Sequence, residues 1–206
     1  MPIDLDAFAR LRPFLFHLTA RQNLAHIRSE NRLLSASLLA AGDPVLQQRR
    51  ARAVPVKSAG RGCVMLRDQQ PLNASKLTFT GDWGFDELLR ALNDRVFFWQ
   101  GRCNGTPIDY GRRHFAKYEG TDVVVLRVPT AAVLAEAQPE FSKVNSGAAG
   151  RYPGQSRRGP DTFLPAAQCP LTPSQVVEVT FRGSVRLPDG VQIGPTAAGP
   201  FRALRP

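Results

Sequence analysis

Apolar positions fall into short blocks separated by polar and turn residues, and most blocks carry the spacing of a definite element. Phe14-Leu15-Phe16 is an extended run ending in His17-Leu18-Thr19. Leu24 and Ile27 then recur at a three-residue interval, with Leu33-Leu34 six residues further on and Arg21, Gln22, Arg28 and Glu30 on the other faces. This predicts a strand, an amphipathic helix that Thr19 is suited to cap, and a chain reversal near Asn31. Val64 to Gln69 reads as a short extended or helical piece. Phe85 to Leu92 reads as a helix stopping at Asn93-Asp94. Arg95 to Gln100 is β-branched and aromatic between turn residues, hence a strand. Thr121 to Val128 is a near-continuous Val/Leu run, a strand that needs both faces covered. A short helix is expected over Thr130 to Gln138, and Val176 to Phe181 alternates as a strand with Val177, Val179 and Phe181 on one face.

Between these blocks, Ala41 to Ala59 breaks into a basic cluster, Gln48-Arg49-Arg50-Ala51-Arg52, bracketed by Pro44 and Pro55, and reads as a loop or short charged helix. Asn145 to Pro173 is rich in glycine and proline and contains Arg151, Arg157 and Arg158. Because a strand follows it, this long stretch is enclosed by the fold and is expected to be an ordered functional loop. Residues 195–206 are expected to form a flexible tail. With no internal repeat and no strong boundary, the chain is expected to be one α+β domain over residues 1–194.

Composition sharpens this outline. The 206 residues are 43% hydrophobic, enough to bury a core, and Lys and Arg total 27 against 17 Asp and Glu, a formal net charge of +10. That balance favours polyanionic partners. Arginine accounts for 23 of the 27 cations. Its planar fork suits phosphate, but an Arg-, Ala- and Pro-rich composition is equally what a GC-rich genome yields. Cys63, Cys103 and Cys169 are odd in number and far apart, so neither a disulfide framework nor a zinc site is written here, and the three are expected to be small buried hydrophobes. His26 and His114 are read as surface residues. No secretory leader and no apolar run of about 18 residues is present, so a cytoplasmic protein without membrane attachment is expected.

The dinucleotide, phosphate-loop, zinc-protease and hydrolase signatures are all missing. What remains are polar residues at strand ends: FLFHLTARQNLAHIRSENRLLS (14–35), RRARAVPV (49–56), DRVFFW (94–99) and NSGAAGRYPGQSRRGPDTFLP (145–165). In this order they resemble the ADP-ribosyltransferase superfamily, most closely its DarT-like, nucleic-acid-directed branch. The resemblance implies a split β-sheet core with flanking helices and an enzyme that cleaves the nicotinamide–ribose bond of NAD⁺ and passes ADP-ribose to an acceptor. Such a site must stabilise positive charge on the ribose. By the same resemblance His17, Thr19 and Asn23 bind NAD⁺. One of Arg49, Arg50 and Arg52 takes phosphate, and Phe98 or Trp99, next to Phe97, faces the nicotinamide. Asn145, Ser146 and Gly147 open the loop that meets the acceptor, with Arg157 and Arg158 helping to steer it.

Relatives carry a glutamate near the end of that loop, where this chain reads Gly159-Pro160-Asp161-Thr162-Phe163. Asp161 is therefore the expected catalytic carboxylate beside His17, with Glu140 and Gln155 as further substitutes. NAD⁺ is the expected co-substrate, no metal is required, and a nucleic-acid base, of DNA rather than RNA, is the expected acceptor. A toxin role implies an antitoxin or an ADP-ribose hydrolase as partner. Two other readings stay open: an inactive protein of the same fold that binds nucleotide or nucleic acid, and an RNA 2′-phosphotransferase-like enzyme.

Overall fold

The computed structural model describes residues 1–149 and 153–205. The chain runs α1 (Leu5–Leu11), β1 (Phe14–Ala20), α2 (Leu24–Glu30), β2 (Arg32–Leu34), α3 (Ala36–Leu39), β3 (Val54–Ser58), β4 (Gly62–Leu66), β5 (Thr78–Phe79), α4 (Phe85–Asn93), β6 (Arg95–Gln100) and α5 (Asp109–Ala116). It continues with β7 (Val123–Pro129), α6 (Thr130–Glu136), β8 (Glu140–Ser142), β9 (Arg157–Arg158), β10 (Leu164–Pro165), β11 (Glu178–Arg182), β12 (Ser184–Arg186), β13 (Gln192–Gly194) and β14 (Arg202–Ala203). Eight strands form one antiparallel sheet in the order β10-β8-β11-β6-β1-β7-β13-β14. Three small pairs, β12 with β2, β3 with β4, and β5 with β9, sit outside it.

Strand alternation assigns each central side chain to a face. Leu15, Phe98, Leu126, Val179 and Phe181 belong to the large core, whereas Phe16, Leu18, Trp99 and Val125 join Phe115 of α5 in a second cluster. Each fully buried side chain of this size contributes about 1.5–3 kcal/mol, so burial on both faces holds the sheet. This is why β7 reads as continuously apolar.

The sheet is not uniformly closed. β1 pairs with β7 along all of Phe14 to Ala20, but with β6 only at Leu15–Gln100 and Phe16–Trp99. At the paired end the strands are pressed together: a Cβ on Gly101 would lie 2.7 Å from the Phe16 ring. Beyond Phe16 the backbone ladder stops, and the His17 ring takes the Phe97 carbonyl instead, Nδ1 to oxygen 2.9 Å. A gap in an otherwise continuous sheet therefore opens at His17.

Several local expectations are corrected. Thr19 lies within β1 and does not cap the helix; its hydroxyl accepts from Asn23 at 3.2 Å, while the chain enters α2 through a short 3-10 turn. The reversal falls at Asn31, in the left-handed region at φ 50°, with its amide donating to Leu187 O. Residues after 195 extend the sheet as β14, and Leu204 is buried, so the described part of this segment is not the frayed tail expected. His26 is buried and His114 half-buried, whereas Cys63 and Cys103 are exposed and only Cys169 is buried. No helix of the described residues is long and apolar enough to cross a membrane.

Candidate functional site

A cavity of about 680 Å³ opens at the gap between β1 and β6. Its walls come from β1, the 3-10 turn at Asn23, the β2–α3 region, the end of β4 and the segment after it, the end of α4, β6, α5, the loop after β8 and the start of β11. Such a volume lies in the range of small-molecule and cofactor sites.

His17 lines this cavity and is half-buried. Burial lowers its pKa to about 4 against the opposing hydrogen bond to Phe97 O. The ring is thus neutral at physiological pH, donates Nδ1–H to the carbonyl, and keeps Nε2 as an acceptor.

Glu178, the first residue of β11, stands directly across from Trp99 of β6 and from Ser142 of β8, and it too lines the cavity. The residue is 3% exposed. Burial raises its carboxyl to about 7, against the Ser146 backbone N–H (2.9 Å) and hydroxyl (2.6 Å), both donating to Oε2, and the charge of Arg158. A carboxylate poised near neutrality has the pKa a general base needs.

Of the aromatic strand, Phe97 and Trp99 line the cavity. Phe98 does not: it is fully buried, edge-on to Phe181 at 5.5 Å, and touches the site only through the His17 ring. The expectation that Phe98 faces a ligand is corrected by strand alternation. Gly111 lets α5 lie close on β6, since a Cβ there would be 3.1 Å from the Trp99 Cβ. That approach brings the His114 ring to 5.0 Å from Trp99 and 5.3 Å from Tyr118. Burial lowers the pKa of His114 to about 3, so this ring is also neutral.

Six cations line the cavity, Arg50, Arg67, Arg95, Arg113, Lys117 and Lys143, against the carboxylates Asp68 and Glu178. Arg50 is spent on structure: Nε donates to Arg67 O at 2.9 Å and Nη1 to Asn93 Oδ1 at 2.8 Å. Arg95 is held by both oxygens of Glu140, at 2.6 and 3.0 Å. Arg67 differs. It stacks on Tyr118 at 3.7 Å, Asp68 Oδ2 lies 3.7 Å from Nη2, and its buried Nη1 has no hydrogen-bond partner. Since an unsatisfied buried donor is costly, this guanidinium keeps capacity for an anion. Arg49 and Arg52 are exposed and line no part of this cavity; Arg49 borders a separate depression beside Phe85.

Asn145 and Ser146 line the cavity, whereas Arg157 and Arg158, the expected steering residues of their loop, do not. Arg157 is exposed. Arg158 is fully buried and donates to the carbonyls of Asn145, Ser146, Ala148, Gln155 and Arg157, fastening the loop from inside. Arg151 lies outside the described residues. Asn23 lines the cavity, but its amide is committed to the backbone of Met65, accepting from N and donating to O, both at 2.9 Å.

Asp161, the expected carboxylate, is exposed on a 3-10 turn and lines no part of the cavity; the carboxylates that do are Asp68 and Glu178. Glu140 is occupied by Arg95, and Gln155 reaches the wall. The signal for Glu178 was a single acid inside the apolar run Val176 to Phe181. Among the described residues no group of three or more His, Cys, Asp and Glu could hold a metal ion.

A family model described as "Family of unknown function (DUF7002)" matches residues 13–190, a span that contains every residue lining the cavity. No curated protein matches the chain.

Proposed function

The chain belongs to the DUF7002 family, a family of unknown function, and from that premise we propose that it is an NAD⁺-dependent ADP-ribosyltransferase with a split-sheet core, acting on a nucleic-acid base. The observation that carries this reading is the pairing of His17 and Glu178 in one cavity at the gap between β1 and β6. Neutral His17 offers Nε2 to a ribose hydroxyl. Trp99 and Phe97 supply aromatic surface for a planar leaving group. Arg67 offers a guanidinium to phosphate.

Glu178 does the central work. As a carboxylate it supports the positive charge that builds on the ribose as the bond to nicotinamide breaks, and it receives the proton released when the acceptor nitrogen or oxygen bonds the same carbon. The inactive alternative rests on the lack of a glutamate at Gly159 to Phe163, and the presence of Glu178 in the cavity weighs against it. The test is to incubate the protein with NAD⁺ labelled in its adenylate half and single-stranded DNA, duplex DNA, RNA or cell lysate, following nicotinamide release and label transfer. Activity is expected for the native chain and for Asp161→Ala, and not for Glu178→Gln. Absence of both nicotinamide release and label transfer with every acceptor overturns the proposal.

A further inference from the structure

Arg67 and Asp68 are neighbours in the chain, line the same cavity and carry opposite charges, yet they do not close on each other. Asp68 Oδ2 lies 3.7 Å from Arg67 Nη2, beyond hydrogen-bond length. Elsewhere in the fold an arginine beside a carboxylate is clasped by both oxygens. Glu140 holds Arg95 at 2.6 and 3.0 Å, and Glu30 holds Arg61 at 2.5 and 3.0 Å. The Arg67–Asp68 pair stays open although its side chains are only 20% and 12% exposed, where water competes little with a bidentate contact.

Tyr118 accounts for the gap. It follows α5, lines no part of the cavity, and meets both members of the pair from behind the wall. Its ring carries the Arg67 guanidinium at 3.7 Å, and its hydroxyl donates to Asp68 Oδ1 at 3.1 Å. The same Oδ1 accepts from the Gln70 backbone N–H at 3.0 Å, so the carboxylate is pinned by two donors that are not Arg67. Stacking occupies the face of a guanidinium and leaves the N–H donors in its plane. Nη1 is accordingly buried with no hydrogen-bond partner. A carboxylate free to turn would take the donors of Arg67 for itself and would place its negative charge against any incoming anion.

We propose that Tyr118 is a positioning residue that keeps Arg67 open to the phosphate of a bound nucleotide, supporting the guanidinium on its ring while its hydroxyl holds Asp68 away. Affinity for the phosphate thus depends on a side chain that the ligand does not touch. The inference rests on the reading of the cavity as a dinucleotide site and adds to it the device that keeps the anion-binding group unspent.

The test is titration calorimetry of the full chain with ADP-ribose, using Tyr118→Phe, Asp68→Asn, Tyr118→Phe/Asp68→Asn, Tyr118→Leu and Tyr118→Leu/Asp68→Asn. Phenylalanine keeps the stack and removes only the hydroxyl. Tyr118→Phe should weaken ADP-ribose about tenfold, the size of one charge-assisted hydrogen bond lost to Asp68. Asparagine keeps an acceptor for the Gln70 N–H and cannot pair as an ion with Arg67. The Tyr118→Phe/Asp68→Asn double variant should therefore return to within about threefold of the native affinity, and Asp68→Asn alone should bind at least as tightly as the native chain. Tyr118→Leu removes the stack as well, so it should weaken binding in both backgrounds. A general structural role for Tyr118 would not be cured by a change at Asp68, and melting curves of the variants exclude loss of fold as the cause.

Native affinity in Tyr118→Phe, a loss that Asp68→Asn fails to restore, or no binding of ADP-ribose by the native chain would overturn the proposal. Nicotinamide release from NAD⁺ is measured separately. Release by the native chain with binding indifferent to Tyr118 strikes the positioning role alone. Binding governed by Tyr118 and Asp68 without nicotinamide release strikes the transferase reading and upholds the positioning role.

Discussion

Glu178 is buried and His17 half-buried, and desolvation acts on them with opposite sign. The Glu178 carboxyl rises from 4.5 to about 7. Between those pH values the folded chain keeps a proton that the unfolded chain has released, so stability is lost as pH rises through this window, by about 3 kcal/mol in full. His17 falls from 6.5 to about 4. There the unfolded chain takes up a proton that the folded chain refuses, so stability is lost as pH falls below 6.5. Glu178→Gln should therefore gain melting temperature relative to the native protein by an amount that grows from pH 4.5 to 7 and then levels. His17→Gln should gain as pH falls from 6.5 to 4. Thermal denaturation across pH 4–8 checks both, and a pH-independent difference would assign the titration to other groups. Activity follows the same ionisation. The rate of nicotinamide release should rise with an apparent pKa near 7 and drop by about 10²–10⁴ in Glu178→Gln, as expected for loss of a general base, while Asp161→Ala keeps the native profile.

At the scale of elements, the loop after β8 is the piece most dependent on a single side chain. Arg158 gathers five backbone carbonyls of this loop onto one guanidinium. Arg158→Ala should cost about 3–5 kcal/mol, the range for removing one member of a buried charged network. It should also expose residues 145–149 and 153–157 to proteolysis before the sheet melts; a variant cut no faster there than the native chain would show that the loop holds itself. The same elements show what local sequence reveals. β1, α4, β6, β7, α6 and β11 were legible because their apolar spacing is the face they bury. α5 was not, since Asp109 to Ala116 buries only Gly111 and Phe115 and its polar face serves the cavity. β13 and β14 were too short to show a period; their place comes from pairing onto β7. Glu178 was hidden for a related reason: within Val177-Glu178-Val179 it reads as an ordinary strand alternation, and only cross-strand register with Trp99 brings it to the site. Arg158 was read with Arg157 as steering an acceptor, because an Arg-Arg pair in a glycine-rich loop carries no local mark of which side chain is buried.

For the whole molecule, the consequence is a sheet whose two sides meet at the cavity. β7, β13 and β14 flank β1 on one side of the gap, and β11, β8 and β10 flank β6 on the other. Across the gap the ladder is replaced by the single His17–Phe97 hydrogen bond, which leaves backbone pairing to Leu15 and Phe16. A dinucleotide bound there contacts both sides at once, so binding to the native state and not to the unfolded chain must appear as stability. At a ligand concentration one hundred times the dissociation constant the gain is about 2.7 kcal/mol. For a chain of this size that corresponds to a melting shift of roughly 5–10 °C. NAD⁺ or ADP-ribose titrated against the native protein should give this concentration-dependent shift. His17→Ala and Arg67→Gln should reduce it, because each removes a group that faces the cavity with a hydrogen-bonding atom unspent. Arg50→Gln separates cavity binding from structural support: its guanidinium is committed to Asn93 and the Arg67 carbonyl. That variant should lower the melting temperature of the unliganded protein while keeping most of the ligand-induced shift. Loss of the shift in Arg50→Gln with its retention in Arg67→Gln would reverse the roles of the two arginines.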